Sequence, residues 1–244
     1  MEFSAENKIF SVSEFINLLN IGLEKSRAKI IGELTEIKTD SKGHVYFTLK
    51  DEKGGAIINC IVWKSIYNIY GIKLENGMKV LVSGYPKIYA PFGKLSFYPE
   101  VIELAGEGML KKQYDELKKK LEIEGLFAEE RKRPLPLYPQ KIGLITSKKG
   151  AVLGDFLSNI GKFGFKIKMI DSRVEGQEAV ADLLSAIKTF KKEDIDLLAI
   201  IRGGGSMESL MPFNNELLVR EIANFPTPVI VAIGHDKDEP LIDF

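Results

Sequence analysis

The spacing of hydrophobic positions changes character twice along the chain, and those changes divide it. Residues 9–19, "IFSVSEFINLL", open with helical spacing. Ser11 suits an N-cap, Glu14 completes a capping box, and Phe10 can staple onto Phe15. Short runs of twofold alternation follow: "AKIIGELTEIK", "HVYFTLKD", "AIINCIVWK", "MKVLVSGYPKIY" and "GKLSFYPEVIEL". In the second, Val45, Phe47 and Leu49 share one face, opposite His44, Tyr46, Thr48 and Lys50. Residues 107–140 return to helical spacing, with Leu110, Tyr114, Leu117 and Leu121 at three- and four-residue steps, a stop at Gly125 and the proline-punctuated boundary "RKRPLPLYP". From Lys141 onward, near-continuous aliphatic runs ("KIGLITS", "FKIKMID", "IDLLAIIR", "TPVIVAIGH") alternate with helical segments.

Five short strands with turn punctuation, in about 100 residues, predict a small Greek-key barrel of the OB type. Aliphatic strands separated by helices predict a parallel sheet covered on both faces. The expected architecture is therefore α+β in two domains: an N-terminal OB-fold β-barrel, then an α/β parallel-sheet domain of Rossmann-like form. The bounds read as 1–105 for the N-terminal helix and barrel, 106–138 for a helical connector and 139–244 for the α/β domain.

Barrels of this kind grip single strands with a basic groove and aromatic stacking platforms. Tyr46, Trp63, Lys64, Tyr85, Lys87 and Tyr89 are the candidates, with Phe92 and Lys94 at the "YAPFGK" hairpin. A β-surface decorated with tyrosine and lysine is the plainer reading of any one of them; the interleaving over several strands favours binding for the set. Likewise the basic residues of the connector read first as the solvated face of a helix.

Parallel sheets hold ligands at the carboxyl ends of their strands. Thr146 and Ser147, Arg202 with Gly203, Gly204, Gly205 and Ser206, and Gly234 with His235 all stand at such ends, with Asp155 on the following helix and Asp238 one short turn past His235. A glycine run lets backbone N–H groups approach an anion. Arginine offers a planar fork to phosphate, and histidine can trade a proton near neutral pH. "RGGGS" is neither a dinucleotide fingerprint nor a P-loop, so a nucleotide-dependent enzyme on this sheet lacks its expected signal. Anion clamp, proton shuttle and carboxylate together suit phosphodiester hydrolysis. Carboxylates are not clustered at metal-ligand spacing, so no obligatory metal is expected, although Mg²⁺ at Asp155 is compatible.

Bulk properties alter this picture little. The 244 residues carry 34 Lys and Arg against 34 Asp and Glu, so any nucleic-acid surface must be local. One cysteine, Cys60, excludes a disulfide framework and a Cys-rich zinc site. No signal peptide or membrane-length apolar run is read, and the expected location is cytoplasmic.

The chain resembles the large subunit of bacterial exonuclease VII. The likeness spans essentially all of it: "GHVYFTLKD", "GEGML" with "LEIEGLF", "PLPLYPQKIGLITSKKGAVLGDF", "RGGGSMESLMPFNNE" and "AIGHDKDEPLIDF". The resemblance implies an OB-fold that binds DNA and a nuclease domain that degrades single-stranded DNA from both ends to oligonucleotides and then 5′-phosphorylated products, with little dependence on divalent metal. It associates activity with Asp155, Arg202, His235 and Asp238, and it implies small-subunit partners recruited by a helical segment that this chain, ending at Phe244, is expected to lack. "TSKKGAV" departs from the family's frequent "SPTGAA", so Lys148 and Lys149 either add phosphate contacts or belong to the solvated surface. The alternative is a single-stranded DNA-binding module whose α/β domain holds phosphate without cutting.

Overall fold

The structure is a computed structural model that describes residues 9–105, 107–176, 178–205, 207–235 and 238–244. The chain separates into two compact units, residues 1–68 with 73–106, and 69–72 with 107–244.

The first unit opens with α1 (Val12–Lys25), held by the predicted capping box: Ser11 Oγ accepts from Glu14 N, and Glu14 Oε2 accepts from Ser11 N. Phe10 and Phe15 meet with ring centroids 6.3 Å apart. Strands β1 (Ala28–Thr39), β2 (Val45–Lys50), β3 (Ile57–Val62), β4 (Lys79–Tyr89) and β5 (Lys94–Leu104) close into a barrel in the order β1-β2-β3-β5-β4. Every pairing is antiparallel except β3–β5, which closes the barrel in parallel through Cys60 and Phe97. The inward set includes Leu34, Phe47, Leu49, Val62, Val82 and Phe97, all nearly solvent-free. Burial of Cys60 in this core pushes its thiol up to about 12, so it is an inert packing group. Asn20, buried on α1, donates from Nδ2 to the carbonyl of Ile88 and accepts the N–H of Ile88, docking the helix on β4 through both polar groups of one residue. A short helix, α2 (Lys64–Tyr70), follows β3; the sequence pattern did not predict it.

The second unit begins with α3 (Glu107–Ile123), whose Leu121 is buried against Val219 and Leu241 with Tyr114 and Leu117 beside it. A four-stranded parallel sheet follows, ordered β7-β6-β8-β9, from β6 (Lys141–Thr146), β7 (Lys166–Asp171), β8 (Leu197–Arg202) and β9 (Val229–Ile233). Ile142, Leu144, Ala199 and Ile201 pack under α4 (Ala151–Asn159). Ile145, Leu198 and Ile200 lie on the other face, in one core with residues of α5 (Glu178–Phe190) and α7 (Glu216–Ala223). The expected cover on both faces holds for the inner strands: β8 is buried along its whole length, whereas the edge strands β7 and β9 are only partly covered. Since β7 lies on one side of β6 and β8 on the other, the strand order reverses between β6 and β8. In open sheets of this type, ligands are held outside the carboxyl ends of the strands at such a reversal.

Candidate functional site

At the carboxyl end of β8 the chain turns through Gly203–Gly205 into the short helix α6 (Met207–Leu210). Arg202, last in β8, alternates with Ile200 and so points to the α5 face. Its guanidinium is only 5% exposed; Nη2 donates to Ser209 Oγ at 2.9 Å and lies 3.7 Å from Glu175 Oε2. Nη1 is buried with no hydrogen-bond partner among the described residues. A Cβ on Gly205 would collide with this guanidinium and with Ser209 Oγ, so the loop lies directly over the arginine.

His235 arrives from β9, one residue past Gly234, whose φ of +77° makes the bend after the strand. Arg202 and Ile233 are register partners, and Gly234 N donates to the carbonyl of Arg202 at 3.2 Å. A Cβ on Gly204 would fall inside the His235 imidazole. The imidazole and the guanidinium thus pack against consecutive glycines of one loop. Asp238 Oδ2 accepts the backbone N–H of His235 at 2.8 Å and lies 3.7 Å from Nδ1. It holds the turn and sits within ion-pair range of a protonated ring, but does not hydrogen-bond the imidazole in this state.

The other expected residues stand apart from this loop. Thr146 alternates with Leu144 and so faces α4; its hydroxyl is fully buried and unpartnered among the described residues. Ser147 follows in the turn, where its carbonyl accepts Gly150 N, and Lys148 N donates to Asp171 Oδ1. Asp155 is exposed in the second turn of α4, not in its first. The two groups of residues therefore rise from opposite faces of the sheet. Ser206 lies outside the described residues. Ser209 and Glu175, both near Arg202, were not foreseen: Ser209 returns on α6 beneath Gly205, and Glu175 comes from the separate loop between β7 and α5. Among the described residues no group of three or more His, Cys, Asp or Glu side chains is arranged to hold a metal.

The barrel carries a groove of about 740 Å³. It runs over β1, β2, β3 and β5, bounded by the β1–β2 loop and the β4–β5 hairpin, the surface with which OB-folds bind oligonucleotides. Tyr46, Trp63 and Tyr89 line it, at 36%, 43% and 49% exposure. Trp63 packs edge-on against His44, centroids 4.8 Å apart, and reaches Tyr98 at 6.1 Å. Asp40 in the β1–β2 loop accepts from Tyr46 Oη and from the N–H groups of His44 and Lys42. Desolvation works to raise its carboxyl, but these hydrogen bonds prevail and hold it below the usual carboxylate range. Burial, reinforced by the Asp40 charge, pushes the Tyr46 phenol above the ordinary tyrosine value.

Three expected barrel residues do not line the groove. Lys64 starts α2, and its N–H donates to His44 Nδ1. Lys87 is drawn to Glu24 Oε1 on α1 at 2.7 Å. Tyr85 stacks on Tyr98 at 6.0 Å with the Arg27 guanidinium over its ring, behind the lining rather than in it. Alternation alone could not separate these from Tyr46, because strand twist and the hairpin decide which outward side chains reach the groove. His44, Tyr98 and Lys38 do line it and were not proposed.

Residues 10–103 match the family model described as "OB-fold nucleic acid binding domain". Barrel, groove and sheet edge together define the class: an OB-fold nucleic-acid-binding domain joined in one chain to a parallel-sheet α/β domain. Residues 126–244 match the model described as "Exonuclease VII, large subunit". Curated relatives named "Exodeoxyribonuclease 7 large subunit" include those of Koribacter versatilis, 35% identical over 99% of this chain and 54% of the relative, and Halothermothrix orenii, 38% identical over 98% and 60%. Over nearly its whole length the chain is similar to exonuclease VII large subunits, and its C-terminal half matches that family's model. It spans 54% to 61% of the length of the first relatives it matches. Among solved structures, the N-terminal domain of PriB from Thermoanaerobacter tencongensis is 16% identical with a TM-score of 0.30, covering 34% of this chain and all of that one.

Proposed function

We propose that the chain is the strand-binding and strand-cutting part of an exodeoxyribonuclease acting on single-stranded DNA from both ends, within a hetero-oligomer with a small subunit. Residues 1–105 would capture the strand, 106–138 connect, and 139–244 act as a Rossmann-like nuclease domain. The name shared by the relatives supports the reaction class. The observation that carries the mechanism is the convergence of His235 and Arg202 on the consecutive glycines Gly204 and Gly205.

In this reading the scissile phosphate sits on the loop. The glycine amides donate to it, and the arginine charge acts from beneath in a poorly screened environment. His235, 78% exposed, reaches the phosphate from the solvent side and transfers the proton, while Asp238 fixes its turn. Water attacks phosphorus, the P–O bond to the leaving nucleotide breaks, and the leaving oxygen takes a proton. Asp155, on α4, positions the water or a Mg²⁺ ion; Thr146 and Ser147 border the phosphate path.

The test is release of acid-soluble nucleotide from labelled single strands by the protein with its small subunit. His235→Ala should lower the rate by roughly 10²–10⁴-fold; an unchanged rate removes the mechanism. The near-complete cover over Arg202 favours one second reading, a module that holds phosphate without turnover. Strand binding with no release in the same assay would establish it. Among the described residues no helix is long and apolar enough to cross a membrane, and a cytoplasmic location is part of the proposal.

A further inference from the structure

The groove floor is unlike its walls. Strand β1 is irregular between Thr35 and Lys38, and Glu36 there has a φ of +54°. It is the one non-glycine residue with positive φ among the described residues, a conformation that costs a long side chain energy and that clusters at functional positions. The bulge sets the Glu36 side chain in the groove, where Oε2 accepts from Thr48 Oγ1 at 3.2 Å. Thr48, 5% exposed, also lies 3.3 Å from Asn59 Oδ1 across the β2–β3 pairing. A polar row thus crosses β1, β2 and β3 in the same groove as the aromatic rings, with Lys38, Lys42 and Lys94 also lining it.

Such an arrangement orients a strand. A carboxylate on the floor repels phosphate while the amines attract it, so the bases face inward and the backbone follows the lysines. Among bases, an ionised carboxylate accepts only. Guanine offers adjacent N1–H and N2–H₂ donors that match two carboxylate oxygens. Cytosine and adenine each offer one amine beside an acceptor nitrogen. The single N3–H of thymine sits between two carbonyl oxygens that the carboxylate repels.

We propose that Glu36, held by Thr48, makes the floor a guanine-reading subsite within an otherwise sequence-tolerant strand interface. The inference rests on the reading of the groove as a single-strand site. The test is fluorescence anisotropy with labelled decathymidine and with the same oligomer carrying one central guanine, cytosine or adenine. The guanine oligomer should bind at least about fivefold more tightly than decathymidine, the scale of a bidentate base contact, with cytosine and adenine between. Glu36→Gln should abolish the preference and leave decathymidine binding equal or tighter. Glu36→Gly, which removes the backbone strain and so does not threaten the fold, should abolish it too. Equal affinities in the wild type, or a preference that survives both variants, overturns the subsite alone. Failure of every oligomer to bind overturns the groove reading and the subsite with it.

Discussion

At the scale of single residues, the sheet-edge centre depends on what is missing at Gly204 and Gly205. Each lies where a methyl group would occupy the space of a functional side chain, His235 in one case and Arg202 with Ser209 in the other. Gly204→Ala should displace the imidazole and lower nucleotide release on the order of 10²-fold, as misplacements of about an ångström do. Thermal unfolding should change little, since His235 is largely exposed. Wild-type release from Gly204→Ala would mean that this packing does not position the histidine. The residue types were legible in the sequence, because apolar runs mark strand ends and an arginine or histidine there is conspicuous. Their meeting was not, since it requires β8 and β9 to be neighbours. Glu36 was equally hidden: a bulge is a property of two paired strands and leaves no pattern in one.

At the scale of elements, the start of β6 hangs on one carboxylate. Asp196 Oδ2 accepts the N–H groups of Gln140 and Lys141 at 2.8 and 2.9 Å, tying the entry to β6 to the loop before β8. The hydrogen bond from Lys141 N, then that from Gln140 N, holds its carboxyl below the ordinary 3.8. A depressed folded value means stability that is present above 3.8 and lost as pH falls through the folded value. Asp196→Asn should therefore lower the melting temperature near neutral pH and flatten its fall below about pH 4; parallel melting curves for variant and wild type across that range would refute the linkage. Element types were readable where the pattern is long: the capping box of α1 and the spacing along α5 need only their own residues. The seven-residue α2 was missed because "KSIYNIY" is too short to show a period and is rich in residues that favour strands.

At the scale of the whole molecule, a formal net charge of +0 conceals a local grouping of amines, three lysines against Glu36 and Asp40 in one groove. Lys38, Lys42 and Lys94 lie along the same groove as Trp63, Tyr46 and Tyr89, although they come from different strands and loops. Strand affinity should fall with salt, and Lys94→Ala should reduce the slope of log affinity against log salt by about 0.7, the value for one phosphate contact on a single strand. Trp63→Ala should weaken binding by about 1–3 kcal/mol with that slope unchanged, because stacking releases no counterions. A changed slope for Trp63→Ala, or an unchanged one for Lys94→Ala, would reverse the assignment of stacking and charge.

The order and types of the longer elements, the inward face of β2 and the residue types placed at strand ends were determined by the sequence alone, because period, capping and turn residues act over a few neighbouring positions. Tertiary structure alone decided which of those residues share a space. Strand order made β8 and β9 neighbours and so set Arg202 and His235 on one glycine loop. Barrel closure and twist sorted the outward aromatics into those that line the groove and those behind it. Such contacts join residues far apart along the chain, and no local period carries information about them.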